Sequence, residues 1–330
     1  MKLYTALILS LISGSLYNSC GSSEQTDEVA VDNYYYRDEM RQFVQGISQY
    51  AKKKDTSFFI IPQNGIELIV KGESADSELA VEYLKAVDAH GQEDLFYGYD
   101  EDNTTTPADA TSYISDFLTI SKNQGKTILV TDYVFTPSKM SQSYTSNKQA
   151  GYISFAADHR DLNTIPDFPS PIFNENSDNV ENMQQVQNFL YLINPESFSS
   201  KNEFIQALSA TNYDLLLIDL FFTDENTFSV AEINQLKMKA NGGKRLVISY
   251  MSIGEAENYR YYWKEEWASN PPSWLDAENP DWEGNYKVRY WDSAWQDIIF
   301  GTDSSYLNKV INAGFDGVYL DIIDAFEYYE

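Results

Sequence analysis

The alternation of short apolar runs with amphipathic stretches predicts an α/β fold, a (β/α)8 TIM barrel. Three observations carry this expectation. Apolar runs recur at Phe58–Ile61, Ala86–Asp88, Ile128–Asp132, Tyr152–Ala156, Phe189–Ile193, Leu215–Asp219, Leu246–Tyr250, Val288–Trp291 and Val318–Asp321. Most are continuous, as in parallel strands buried on both faces. Helix punctuation lies between them: Ser200 with Glu203 and Ser229 with Glu232 fit capping boxes, and Gly125, Gly242 and Gly314 follow helical stretches. The first run is followed by Pro62-Gln63-Asn64-Gly65, and a doubly wound sheet usually carries a glycine-rich phosphate turn there.

Nine strand signals compete for eight places, and Tyr152–Ala156 or Val288–Trp291 is the expected extra. From Tyr34 to Lys53, the residues Tyr36, Met40, Phe43, Val44, Ile47 and Tyr50 recur at spacings of three and four, predicting an amphipathic helix. Only about nine residues follow the last strand signal. The early helix is therefore expected to fill the eighth outer position, unless the sequence is a fragment.

Ahead of that helix, Lys2 precedes an apolar run from Leu3 to Ile12, then small and polar residues up to Cys20. This arrangement resembles a bacterial lipoprotein signal, which implies lipidation of Cys20; a plain signal peptide with an incidental cysteine, or an uncleaved anchor, is the alternative. The expected organisation is a signal peptide over 1–19, a polar tether over 20–33 and one barrel domain over 34–330. The protein is then exported and held to a bacterial membrane, at the outer membrane or cell surface, through its lipid alone, because no apolar run is long enough for a span.

The 330 residues are 43% hydrophobic and 15% aromatic, enough for a large core. Fifty acidic residues against 23 Lys and Arg give a formal charge of −27. Such a field repels phosphate backbones and argues against nucleic acid as a partner, while it suits a cationic substrate or simple solubility. With Cys20 as the only cysteine, a disulfide, a thiolate metal site and a cysteine nucleophile are excluded from the body of the chain.

HExxH, GxSxG, CxxC and GxGxxG are all absent. Gly125-Lys126-Thr127 precedes a strand and reads as a turn; His90 and His159 read as loop or core residues. No cofactor is implied. What stands out is acid at the carboxyl ends of the expected strands: Asp88, Asp132, Asp158, Asp219, Glu257, Asp292 and Asp321. In a barrel these ends share the rim where active sites form, although a single Asp at a strand end commonly caps the next helix.

Two carboxylates in unequal environments are what glycoside hydrolysis requires, one holding a proton and the other ionised. All six tryptophans (263, 267, 274, 282, 291 and 295) fall within one 33-residue window rich in tyrosine. Two or three of them are expected to line a groove against pyranose faces, the rest to be core.

The segments YDLLLID (213–219), SYMSIGEAENYRYY (249–262), NYKVRYWDSAW (285–295) and AGFDGVYLDIID (313–324) together resemble the glycoside hydrolase family 114-like barrel domain, typified by endo-α-1,4-polygalactosaminidases. The resemblance covers Ser57 to the C-terminus and is strongest from Asp214 onward. It implies a TIM barrel that hydrolyses α-1,4-linked galactosamine polymers. Glu257 and Arg260 match the family's E..R element, and Asp321 and Asp324 its D..D element. The family pattern GVEPDNVD carries an acid where this chain has Tyr319; residues 319 and 321 share strand parity, so Asp321 could take over.

The first reading is therefore an endo-acting hydrolase of an amino-sugar polysaccharide. Glu257 and Asp321 form its catalytic pair, Asp219 is third, and Tyr250, Arg260, Trp291, Asp292, Tyr319, Asp324, Asp88 and Asp132 contact substrate. A second reading is a surface lipoprotein that binds polysaccharide without cutting it. A third is a divalent-metal enzyme on Asp219, Asp292 and Asp321, which lack a compact loop motif.

Overall fold

The structure, a computed structural model, describes residues 35–223 and 226–330. The signal segment, Cys20 and the tether lie outside the described residues. Eight parallel strands form the centre: β1 (Phe59–Pro62), β2 (Ala89–Glu93), β3 (Thr127–Tyr133), β4 (Ile153–Ala157), β5 (Phe189–Tyr191), β6 (Leu215–Asp219), β7 (Leu246–Ser252) and β8 (Gly317–Asp321). Hydrogen-bonded ladders join them into two sections, β5-β6-β7-β8-β1 and β2-β3-β4. Register runs from Phe59 opposite Gly317 and from Gly317 opposite Ile248, so the strand ends stay level.

The cyclic order is that of a barrel, but ladders do not complete the ring. At the β1–β2 seam a single parallel bridge pairs Gln63 with Gly91, with Asp88 N–H donating to Ile60 O at 2.9 Å and Asn64 N–H to Gly91 O at 3.0 Å. At the β4–β5 seam the rings of Phe155 and Phe189 pack with centroids 5.7 Å apart, and no ladder joins the two strands among the described residues. Side chains do cross the interior. Tyr191 on β5 meets Tyr319 on β8 edge to face at 5.4 Å and donates to Gln63 Oε1 beyond β1 at 3.1 Å.

The amphipathic helix α1 (Tyr35–Lys54) buries Met40, Phe43, Val44 and Ile47, the apolar stripe read from the sequence. It packs against α2 (Val81–Ala86) on one side, and on the other against the last helix before β8, Tyr306–Ala313. Between β2 and β3 runs α3 (Ala108–Asn123), and between β3 and β4 runs α4 (Pro137–Ala150). Both capping boxes start helices: Ser200 Oγ accepts from Glu203 N–H ahead of α5 (Lys201–Ser209), and Ser229 with Glu232 closes a full box ahead of α6 (Val230–Leu236). Among the described residues no helix is long and apolar enough to cross a membrane.

Of the two candidates for the extra strand signal, Val288–Trp291 is the extra and Tyr152–Ala156 is a central strand, while one strand expectation is corrected. The chain leaves β7 into an antiparallel three-stranded sheet of Glu255–Glu257, Asn285–Val288 and Leu275–Glu278, then returns through α7 (Ser293–Ile299) and α8 (Tyr306–Ala313). The second strand is not Ala86–Asp88 but the polar Ala89–Glu93, AHGQE. Partners offset part of the cost of burying its polar residues: His90 Nδ1 is 2.7 Å from Ser121 Oγ, and burial pushes this imidazole down to about 3, keeping it neutral.

Gly91 sits where this interior is tightest. A Cβ there would overlap the ring and hydroxyl of Tyr319. Gly91→Ala is accordingly expected to destabilise the fold by about 1–3 kcal/mol, the usual range for overpacking, measured by urea denaturation. An unchanged midpoint would show that Tyr319 is free to move.

Candidate functional site

Seven of the eight strands, or the turns directly after them, deliver residues to one cleft of about 1060 Å³ at their carboxyl ends. Gln63 and Asn64 arrive from β1, Glu93 from β2, Tyr133 from β3, Tyr191 from β5, Asp219 from β6, Tyr250 from β7 and Asp321 from β8. The strand-to-loop turns aim them. Asn64 and Gly65 both take left-handed backbone angles after β1, and so does Ile322 after β8, at φ 58°. A β-branched residue in that region costs about 1–3 kcal/mol, a strain typical of functional sites.

The carboxylates fall into two groups. In the first, Arg260 is clamped between Asp219 and Glu257: its guanidinium reaches Asp219 Oδ2 at 2.7 Å, and Nε donates to Glu257 Oε2 at 2.6 Å. Tyr259 OH adds a 2.7 Å bond to Glu257 Oε1, and the Phe221 amide donates to Asp219 Oδ1 at 2.9 Å. All three charged residues are buried. Burial pulls Arg260 down, but Asp219 and Glu257 outweigh it and hold the guanidinium well above its ordinary value. Burial likewise raises the Asp219 carboxyl while Arg260 opposes it. Two carboxylates therefore share one cation.

The second group has no cation. Gln63 Nε2 donates to Glu93 Oε2 at 2.7 Å and to Asp321 Oδ1 at 2.9 Å, so a single amide bridges two acids. Tyr250 OH donates to Asp321 Oδ2 at 2.7 Å. Asn64 Nδ2, at 3.0 Å, and the Tyr133 hydroxyl complete the donors around Glu93. Burial, and then the charge of Glu93, push Asp321 up to about 7. Asp324 behind it is driven well above its usual value by burial and then by Glu327 and Asp321. One end of the cleft thus pairs its acids with a cation, and at the other an acid is pushed toward its protonated form.

Glu257, Asp321, Asp219, Tyr250, Arg260 and Asp324 all line this cleft, as expected for site residues. The other candidates do not. Asp88 precedes β2 and lies at the opposite rim, accepting from the Ile60 amide at 2.9 Å and pairing with Lys52 at 3.0 Å. Asp132 points outward from β3 and is fully buried, bonded to the Phe96 amide, Ser143 and Asn147 at 2.8, 2.6 and 3.1 Å. Asp158 lies outside the lining and accepts from Thr164 at 2.8 Å. Asp292 is the N-cap of α7, accepting from the Ala294 amide, and does not join Asp219 and Asp321 as a metal set would require. Among the described residues no three acids, histidines or cysteines are placed to hold a metal ion.

Tyr319 faces the closed interior, below the cleft, and Trp291 packs between Tyr36 and Tyr329 at 5.0 and 4.8 Å. Of the six tryptophans only Trp282 lines the cleft, and it is 48% exposed. Trp263, Trp267, Trp274 and Trp295 form a chain of ring contacts, two edge to face and the last tilted, that holds the excursion against the strands, with Trp295 Nε1 donating to Ile253 O at 2.8 Å. Gln63, Asn64, Glu93, Tyr133 and Tyr191 belong to the site although the sequence did not point to them. The available signal was the polar content of the turn after β1 and of AHGQE.

A polar cleft with carboxylates in unequal environments is the layout that glycosidases use. Residues 175–329 match the family model described as Glycoside-hydrolase family GH114. Asp219, Glu257, Arg260 and Asp321 all fall within the match, whereas Gln63 and Glu93 come from outside it. Three relatives bear the printed name uncharacterized protein. One from Methanocaldococcus jannaschii is 44% identical over 156 residues, covering 47% of this chain and 42% of its own. One from Thermotoga maritima is 41% identical over 122 residues, covering 37% and 36%. One from Deinococcus radiodurans is 41% identical over 123 residues, covering 37% of each chain. The matched segment is therefore less than half the length of these relatives.

Removing the shared cation has a signed consequence. In Arg260→Ala, Asp219 and Glu257 face each other unpaired, so their folded-state pKa values rise above unfolded values of about 3.9 and 4.3. A raised carboxyl pKa contributes stability at low pH that is lost as pH rises through the folded value. The variant is expected to lose about 3–5 kcal/mol at pH 8, the range for an orphaned buried charge, and clearly less at pH 5, by urea denaturation. Equal losses at both pH values would contradict the clamp.

Proposed function

We propose that the protein is an endo-acting glycoside hydrolase of an amino-sugar polysaccharide of the α-1,4-polygalactosamine type, working in a (β/α)8 barrel. The observation that carries this reading is the division of the cleft into an Arg260-clamped anionic side and a cation-free side where Asp321 is pressed by Glu93. The strand order and the Tyr191–Tyr319 contact across the interior support the barrel. The cleft is lined by twelve Asp and Glu residues but only three cations, of which Arg160 and Arg260 are already paired with acids. An ammonium-bearing sugar chain is the polysaccharide such a surface favours.

In this mechanism Asp321 donates its proton to the leaving glycosidic oxygen as that oxygen's bond to the anomeric carbon breaks; water then adds to the carbon and releases a proton, which restores the acid. Tyr250 and Gln63 hold its carboxyl in place. Glu257, paired with Arg260, faces the positive charge that develops at the anomeric carbon, with Asp219 sharing the same cation. Glu93 acts as a positioning residue: held by three donors, its charge makes the charged form of Asp321 costly.

Asp321→Asn and Glu257→Gln are each expected to cut the release of reducing ends from deacetylated galactosamine polymer by at least about a hundredfold while sugar binding persists. A raised acid is active below its pKa, so wild-type kcat/KM should fall as pH rises through about 7. Glu93→Gln removes the neighbouring charge and should move that limb to lower pH. Full activity in either carboxylate variant would refute the pair. Wild-type protein that binds the polymer and never cuts it would instead favour a polysaccharide-binding lipoprotein.

The apolar run ending at Cys20 supports export and lipid anchoring to a bacterial membrane. Labelling with a fatty-acid analogue should tag the protein, and Cys20→Ala should abolish the tag; labelling that survives the substitution removes the anchor.

A further inference from the structure

A second cavity of about 390 Å³ adjoins the cleft and has no role in the mechanism above. The two share one wall, made of Asn64, Glu93, Asp94, Asp324 and Glu327. The far side is built by the single-turn helix Ile66–Ile69, which contributes Glu67, and by α3, which contributes Tyr113. Its size falls within the range of small-ligand pockets.

Three features describe its occupant. No Lys or Arg lines the cavity, while Glu67 and Glu327 join the acids of the shared wall. The nearby Arg37 is occupied, chelating Glu330 through bonds of 2.8 and 3.0 Å and lying 4.9 Å from the Phe326 ring centroid. Second, Gln92 is 94% buried and lines the cavity; its Nε2 donates to Glu93 O at 2.9 Å and to Asn64 Oδ1 at 3.3 Å, whereas its Oε1 has no donor. Third, Tyr99 and Tyr113 are 48% and 49% exposed at the cavity, leaving aromatic surface open. Tyr113 is braced edge to face on Phe117 at 5.2 Å and hydrogen-bonded to Glu67.

A ligand here must bring positive charge, supply donors and offer an apolar face. A bare metal ion lacks that face, and no metal-ligand set exists among the described residues. We propose that this cavity is a second subsite that binds a further hexosaminyl unit of the cationic chain held in the main cleft, a role resting on the amino-sugar reading above. The chain passes over the wall at Asn64 and Glu327. Its ammonium group meets Glu67 and Glu327, and its ring lies against Tyr113. Burial and then the charge of Glu67 raise the Glu327 carboxyl, and a bound cation counters that charge.

The test is calorimetric binding of deacetylated galactosamine oligomers of increasing length to the full-length Asp321→Asn protein, alone and combined with Tyr113→Ala or Glu67→Gln. Neither added substitution touches the lining of the main cleft. Affinity should rise about tenfold at the length that reaches the second cavity. Each substitution should remove that step and leave short oligomers unaffected. Short-oligomer binding with no length step, or a step that survives both substitutions, overturns the subsite while the amino-sugar reading stands. Absence of binding at every length overturns both. An equal step with lysine oligomers would assign the cavity to a basic peptide and overturn its assignment to sugar.

Discussion

Acids gathered at one end of a parallel sheet repel one another, and each needs a cation, a set of donors or a proton. The cleft uses all three. Arg260 supplies one positive charge to Asp219 and Glu257. Tyr133, Asn64 and Gln63 supply donors to Glu93. Asp321, with donors but no cation and a charged neighbour, is pushed toward its protonated form. The asymmetry needed for general-acid chemistry follows from how few cations reach the strand ends.

The same shortage shapes the rest of the molecule. With 50 acids against 23 Lys and Arg, most acidic side chains must be solvated, and the two cavities concentrate them. At the opposite end of the strands an acid is neutralised outright: Asp214 and Lys239 are fully buried as a pair at 2.5 Å, joined by Asn176. The tryptophan chain serves a related end. It fixes the excursion after β7, and so the position of Glu257, by apolar packing that needs no further charge.

Strand and helix order were legible in the sequence because continuous apolar runs and capping residues are local signals. Seven of the nine apolar runs mark central strands. β2 escaped because its polar residues are buried through partners distant in sequence, such as Ser121 for His90. Val288–Trp291 misled because Val288 pairs with Leu275 inside the excursion while Trp291 packs on Tyr36 of α1 and on Tyr329, outside the parallel strands. Asp219, Glu257, Arg260, Asp321 and Asp324 were legible at the site because strand ends and family motif coincide there. Asp88, Asp132 and Asp292 have the same local appearance, yet serve the far rim, an outward face and a helix cap.

The amino-acid sequence by itself determined the periodic elements, the acidic excess and the half of the site carried by contiguous motifs, since these depend on residue type and near neighbours. Only the tertiary structure decided which acids meet. Gln63 and Asp321 lie 258 positions apart, and Gln63 and Glu93 are 30 apart, yet one amide nitrogen joins all three. That juxtaposition depends on strand register and on the turn after β1, and the protonation of Asp321 depends on the distance to Glu93 and on exclusion of water. Those are properties of the packed chain, absent from any single segment of it.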